Sequence, residues 1–350
     1  MAEDTQLLPF RMFQVTRQRM QKNQDDNDKT LTLGQTANFS IDKVGFLSGF
    51  ILKISGTVTL SAAGAIVDRG AMAVLDRVKV TILNGNLTIV DVSGPHLELL
   101  NRVLFRGYAP SGNGVYTPSS NVWSTPVAMG ANTWVMHLFV PVGANFGSAF
   151  DTGIINAQSS QNTISVSLQT TGTGANFVSN YSSHSLTAQL FNVYYDVPPP
   201  QKVKWPLNQI VRTIQSTENI TAVGDVKHEV ERQGTLLQLL GEVRCNGSRS
   251  NAVDTLTVRT NNSNYPYVVP GSINQALYEG NYSQPCGTGV FAQDFWHSTE
   301  NPSNGDLRDA FNLERYTKVE WIAAIMSGTT LGSGNNFFDV TRRALVNLVR

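Results

Sequence analysis

From about Asn38 the apolar residues of this chain fall on every second position. Across residues 49–60, Phe50, Leu52, Ile54, Val58 and Leu60 share one face, with Lys53, Ser55, Thr57 and Thr59 on the other. A period of two puts successive side chains on opposite sides of an extended backbone, so the pattern predicts a half-buried strand. Val78, Val80 and Ile82 repeat it, and Asn84-Gly85 then leads into residues 87–92. Asn-Gly between alternating runs predicts a hairpin, because a type I′ turn holds both central residues at positive φ. In residues 94–105 the spacing of Leu97, Leu100, Val103 and Leu104 changes to three and four, which predicts a short amphipathic helix.

Strands resume at 133–142, where Trp134, Met136, Leu138, Val140 and Val142 share a face. Val135 and Phe139 stand opposite, a second apolar set expected to meet loops or a neighbouring subunit. Ile164, Val166 and Leu168 mark a further strand. In 186–197, Phe191, Val193, Tyr195 and Val197 alternate with Asn192, Tyr194 and Asp196. The intervening stretches 107–132 and 143–162 are long and rich in Gly, Ser, Asn and Pro, as functional or interfacial loops are. Pro198-Pro199-Pro200 and Pro206 cannot sit inside a paired strand and predict a linker at 198–206. Beyond it alternation returns at Leu237, Leu239, Val243 and Cys245, at Leu256 and Val258, and at Val319, Trp321, Ala323 and Ile325. Residues 271–280 predict a second short helix. The expected plan is an arm (1–29), one β unit (30–197), the linker and a second β unit (207–350).

The arm breaks the period of two. Leu7, Leu8, Phe10, Met12, Phe13 and Val15 are apolar, and Arg11, Arg17, Arg19 and Lys22 place four positive charges within 10–22 with no acid among them. This reads as a short helix or arm detached from the core. One reading sends it to an anionic membrane surface or packaged nucleic acid, the other beneath its own or a neighbouring subunit. Residues 341–350 carry Arg342, Arg343 and Arg350 but interleave Leu345, Val346, Leu348 and Val349, and read as a docked final element.

Composition narrows the class. Of 350 residues only 15% are charged, and 26 basic side chains balance 26 acidic ones, so no global field recruits nucleic acid or anionic lipid. No apolar run is long enough to predict a membrane-spanning helix, and Glu3 and Asp4 argue against a secretory leader, which points to synthesis in a cytoplasm. The two cysteines, Cys245 and Cys286, read as reduced thiols. His96, His137, His184, His228 and His297 form no metal-binding spacing, and no phosphate loop or nucleophile elbow occurs. The chain is therefore expected to carry no catalytic residue, cofactor or metal. Two rival classes remain: a sugar-binding β module using Tyr265, Tyr267 and Tyr278, and a glycosidase using Asp294 and Glu320.

In the order of its elements the chain resembles the major capsid proteins of tectivirus-type phages, tailless viruses with an internal membrane whose capsid lineage includes adenovirus. The likeness is carried by 44–54 (VGFLSGFILKI), by 74–105 with its Asn-Gly turn and Ser93-Gly94-Pro95-His96-Leu97, by 133–168, by 191–217 and by 289–304. It implies an all-β fold of two tandem eight-stranded jelly rolls. It further implies a homotrimer forming a pseudo-hexagonal tile of an icosahedral virion assembled in the host cytoplasm. Implied partners are neighbouring capsomers, penton and minor capsid proteins and the inner viral membrane, with no specific nucleic-acid sequence. Phe10, Arg11, Met12, Phe13, Arg17, Arg19 and Lys22 would make the arm's contacts.

Overall fold

A computed structural model describes residues 18–24, 28–67, 70–104, 127–144, 153–158, 163–196, 209–261, 263–282, 286–295, 311–332 and 334–347. The first half supplies β1 (Gln18–Lys22), β2 (Lys29–Leu31), β3 (Thr36–Ser40), β4 (Phe46–Leu60), β5 (Leu75–Ile82) and β6 (Leu87–Val92). Helix α1 (Gly94–Leu104) follows, then β7 (Gly130–Pro141), β8 (Ile155–Asn156), β9 (Ser165–Thr170) and β10 (Tyr181–Tyr195). The second half supplies β11 (Gln209–Asn219), β12 (Gly224–Glu229), β13 (Thr235–Cys245), β14 (Ser248–Arg249), β15 (Val253–Thr260) and β16 (Ser263–Pro270). Helix α2 (Gly271–Tyr282) precedes β17 (Val290–Asp294), β18 (Phe311–Asn312), β19 (Val319–Ile325) and β20 (Phe337–Asn347). The linker prolines lie outside the described residues, as does much of the two long loops.

With β1 and β2 counted as one strand and the two-residue strands set aside, both halves follow one plan. In the first half one sheet runs β1-β10-β4-β7, the first, eighth, third and sixth strands. The other runs β3-β9-β5-β6, the second, seventh, fourth and fifth. The second half repeats both orders as β11-β20-β13-β17 and β12-β19-β15-β16. This is the jelly roll, twice, each time with a helix between the fifth and sixth strands. The rolls join because β6 pairs in parallel with β11, Thr213 beside Val90 and Ile214 beside Asp91, so one ten-stranded sheet passes through both.

The alternation read from sequence fills two cores. Phe50, Leu52, Ile54 and Val58 of β4 meet Val80, Val90 and Val166 across the first sandwich. Leu239, Val243, Phe338 and Val340 meet Leu256, Trp321 and Ala323 across the second. Trp321 packs on Phe338 with ring centroids 5.1 Å apart. Gly241 makes the space, since a Cβ there would lie 2.7 Å from the Phe338 ring and 2.8 Å from Trp321. The expected hairpin is present: Asn84 and Gly85 have φ of 58° and 85°, and Asn86 N–H donates to the Leu83 carbonyl.

Each helix also closes a sheet edge. Asn101 of α1 donates from Nδ2 to the Phe139 carbonyl (2.7 Å), and its Oδ1 accepts from the Phe139 N–H (2.8 Å). Asn274 of α2 does the same to Ala292 of β17, at 2.8 and 3.1 Å. A side-chain amide thus stands in for a neighbouring strand at the sixth strand of each roll, where free backbone groups would otherwise invite pairing. Phe139, expected to face loops or a neighbour, is buried within its own chain beneath α1.

Two readings change. Residues 18–22, assigned to a detached arm, are β1, paired antiparallel with β10 from Gln18 beside Tyr195 to Lys22 beside Phe191. Their sequence, QRMQK, has too few apolar residues to show alternation, and backbone pairing at an edge does not require them. Leu237 does not share a core with Leu239, because a register break between Leu236 and Gln238 turns it into a small cluster with Ala144, Val211 and Leu345.

Replacing Trp321 by Ala is expected to destabilise the chain by about 3–5 kcal/mol through the cavity it leaves, and Gly241→Ala by about 1–3 kcal/mol through overpacking. Denaturant unfolding checks both.

Candidate functional site

The nominated carboxylates do not form an acid–base pair. Asp294 ends β17 on the ten-stranded sheet and accepts from Gln238 Nε2 at 3.3 Å. Glu320 stands on β19 in the four-stranded sheet, where its Oε2 accepts from Arg259 Nε at 2.7 Å and Nη2 at 2.5 Å. Lys318 Nζ lies 2.9 Å from its Oε1. Burial pushes this carboxyl up, but the bonds from Lys318 and Arg259 outweigh burial and hold it below the ordinary value. A glycosidase acid needs the reverse, a raised carboxyl facing its partner. Glu320 is an ion-paired strut between strands.

The sugar-stacking tyrosines fare no better. Tyr278 is buried in the first core, and Tyr267 is half-buried against the second, hydrogen-bonded to Asn274. The side chain of Tyr265 lies outside the described residues. Cys245 and Cys286 are unbridged. Burial pushes the Cys286 thiol up to about 12, so it stays protonated and unreactive at neutral pH.

Of the arm residues, Phe10, Arg11, Met12, Phe13 and Arg17 lie outside the described residues. Arg19 donates to Asp196 at 2.7 Å, and Lys22 lies 2.7 Å from Asp28. Just past β1, buried Asn23 donates to the Ser40 carbonyl and accepts from the Asp42 N–H, while Gln24 N–H donates to the Asp42 carboxylate. These bonds anchor the end of β1 that runs on into the roll. Gln18 pairs beside Tyr195, the last residue of β10, and Pro141 ends β7 beside Gly49, near the start of β4. Ala144 then packs on Val211 and Leu345, and Gln209 pairs with Asn347. Both ends of the described chain therefore emerge at the same end of the molecule.

The densest polar chemistry lies where the rolls meet, and sequence reasoning missed it. The far face of β13, β20 and β11 carries three cross-strand rows: Gln238–Arg343–Thr213, Leu240–Thr341–Gln215 and Glu242–Asp339–Thr217. The first roll and α1 cover most of it, leaving Thr217 at its rim exposed. His96, Glu242, Asp339, Thr341 and Arg343 are all buried, and Leu240 packs into the first core. His96 Nδ1 lies 2.7 Å from Thr341 Oγ1, and its Nε2 lies 4.0 Å from both Glu242 Oε2 and Asp339 Oδ2. Arg249 Nη2 donates to Glu242 Oε2 at 2.9 Å, and Thr217 Oγ1 donates to Asp339 Oδ1 at 2.5 Å. Arg343 crosses back to the carbonyls of Gly143 and Ala144, and Ser93 N–H donates to Gln215 Oε1 at 2.7 Å. Among the described residues, His96, Glu242 and Asp339 are the group whose donor atoms converge as metal ligands do, all within 4.8 Å.

No family model matches the sequence, and no curated protein matches it either. The fold does match solved structures. The STIV MCP superposes with a TM-score of 0.68 at 15% identity, over 95% of this chain and 97% of that one. PBCV-1 VP54 gives 0.66 at 11% identity, over 94% and 93%. The major capsid protein of bacteriophage PM2 gives 0.54 at 7% identity, over 95% and 99%. The chain shares their double jelly-roll fold over nearly all of its length.

One titration should be visible in solution. His228 Nδ1 lies 2.9 Å from Glu218 Oε1, but burial outweighs that partner and holds the imidazole below its ordinary value of 6.5. The unfolded chain then binds more protons just below pH 6.5, so stability falls as pH drops through that window. Unfolding at pH 7.5 and 5.5 should show a smaller acid loss for His228→Gln than for the unaltered chain; equal losses would place the sensitivity elsewhere.

Proposed function

We propose that this chain is the major capsid protein of an icosahedral virus, a shell subunit whose work is done by its faces rather than by catalysis. The observation that carries the reading is the tandem of two jelly rolls joined head to tail. It is shared over nearly the whole chain with proteins named as major capsid proteins at identities too low for anything but fold to persist.

The internal joint also supports a homotrimer. Within the chain, the fifth strand of one roll pairs with the first strand of the next. Such a joint is heterologous, and repeated between copies it generates a ring or a filament. The complementary edges are β16, the fifth strand of the second roll, and β1 with β2, the first of the first roll. Helix α2 presents Ile273 and Leu277 to solvent at its third and seventh positions, and Val268 of β16 is 51% exposed. In α1 those positions are His96 and Leu100, both buried. A second copy seated on α2 as the second roll sits on α1 would cover the three apolar residues. Three copies would then close a ring of six rolls.

The shared exit of both ends of the described chain gives the largely apolar segment 1–17, in which Arg11 and Arg17 offset Glu3 and Asp4, one side of such a tile to work on. Contact with an inner membrane, or with neighbouring capsomers, penton or minor capsid proteins, is the role this favours. Assembly in the host cytoplasm, and residence in the virion, follow from the same reading.

Light scattering should give a mass near three times 38.2 kDa, and the pair Ile273→Asp and Leu277→Asp should shift it to the monomer. A strict monomer for the unaltered chain would overturn the capsomer. Removing residues 1–17, which spares β1, should leave folded trimers but impair shell formation and liposome binding. Normal shells from that protein would remove the arm's role.

A further inference from the structure

We infer that the junction between the two jelly rolls is a binding site for a divalent cation, ligated by His96 Nε2 from the first roll and by the carboxylates of Glu242 and Asp339 from the second. The three donors come from α1, β13 and β20, so one ion would tie the rolls together. The site does not depend on the shell role.

Spacing is the first support. At 4.0 Å from each carboxylate oxygen, Nε2 is too far for a direct hydrogen bond. With all donors within 4.8 Å, a central atom would lie about 2.3–2.5 Å from each. That is the calcium–oxygen distance, and a contraction of a few tenths of an ångström reaches manganese or zinc. A mixed nitrogen and oxygen set favours these last two.

The outer partners are the second support. Metal-bound imidazoles have their other nitrogen held by a hydrogen bond, and metal-bound carboxylates are oriented in turn. Here Thr341 holds His96 Nδ1, Thr217 donates to Asp339, and Arg249 donates to Glu242. Each ligand side chain is thus aimed by a residue that is not itself a ligand.

Register is the third. Glu242 and Asp339 are direct cross-strand neighbours, and both are buried. Two carboxylates so placed repel each other unless positive charge stands between them. Arg249 Nη2 lies 2.9 Å from Glu242 Oε2, and Arg244 Nη1 lies 3.6 Å from its Oε1. These arginines offset part of the charge, so the ion is expected to bind with modest affinity and to be removable by chelator. A cleft of about 270 Å³ is lined by Pro95, next in sequence to His96, and by Arg244, which approaches Glu242.

The test uses the purified full chain, stripped with EDTA and returned to Mn²⁺, Zn²⁺ or Ca²⁺ one at a time. Elemental analysis should find one ion per chain with Mn²⁺ or Zn²⁺. At a hundredfold excess over Kd the melting temperature should rise by at least about 3 °C. Asp339→Asn and His96→Gln should each abolish that rise, while Glu320→Gln, remote from the junction, should keep it. If the junction variants do not fold, Co²⁺ bound to the unaltered chain still reports the ligands, and its visible spectrum should show nitrogen and oxygen donors. No stoichiometric ion and no rise with any of the three metals would overturn the proposal. So would a rise that survives both junction variants, or a stripped protein that gains the same stability from acid alone, which would put a proton on His96 in the ion's place.

Discussion

On β13, β20 and β11 the residues facing away from the second core are mostly polar or charged, yet the first roll covers them. Taking Glu242, Asp339 and Arg343 out of water is expensive unless each finds hydrogen-bond partners, and partial satisfaction is worse than an apolar contact. Here Arg249 and Thr217 of the same roll bond Glu242 and Asp339, while the first roll supplies the carbonyls of Gly143 and Ala144 to Arg343, His96 of α1 to Thr341 and the Ser93 N–H to Gln215. An apolar joint would tolerate sliding. A polar one is satisfied in a single relative position, so the mutual orientation of the rolls is set by this face as much as by the parallel pairing of β6 with β11.

The duplicated plan shows what each roll solves alone and what it leaves to a neighbour. The sixth strand is an edge in both, and both close it with a helix asparagine, Asn101 on Phe139 and Asn274 on Ala292. The fifth strand is treated differently. In the first roll it continues into β11 and the helix after it is buried in the joint. In the second roll it ends the sheet, and the helix after it shows Ile273 and Leu277 to solvent. The two rolls differ most at the place where one has a neighbour in the chain and the other does not.

Strands with one apolar face were legible in the sequence because burial on one side alone imposes a period of two: β4, β7, β10 and β19 all lie where alternation puts them. Both helices were legible from the change of period or from glycine-bounded spacing. What escaped was whatever alternation cannot encode. β1 is held by backbone bonds and carries little apolar signal. Leu237 changes core at a register break that leaves its residue type unaltered. Asp339, Thr341 and Arg343 alternate with Phe338 and Val340 in the pattern of a solvated outer face, and only the fold shows that this face is covered. His96 sat in view within Ser93-Gly94-Pro95-His96-Leu97, but its partners Glu242, Asp339 and Thr341 are more than a hundred residues away, and spacing along the chain could not join them.

The low charge of the chain takes on a second meaning in this light. Only 15% of residues are charged, and many of these are spent inside: Glu242, Arg244, Glu320, Asp339, Arg342 and Arg343 are all buried. Burial pulls Arg342 down to about 10 even with Glu231 beside it, a measure of how far this guanidinium has been withdrawn from water. The outer surface is therefore poorer in charge than the composition alone implies, while Val268, Ile273 and Leu277 stay exposed on the second roll. A surface of neutral polar residues with an apolar strip can be dissolved singly and covered by a like copy with little desolvation of charge. The charges that a lateral face would have to shed on packing have been moved into the joint, where they orient the two rolls instead.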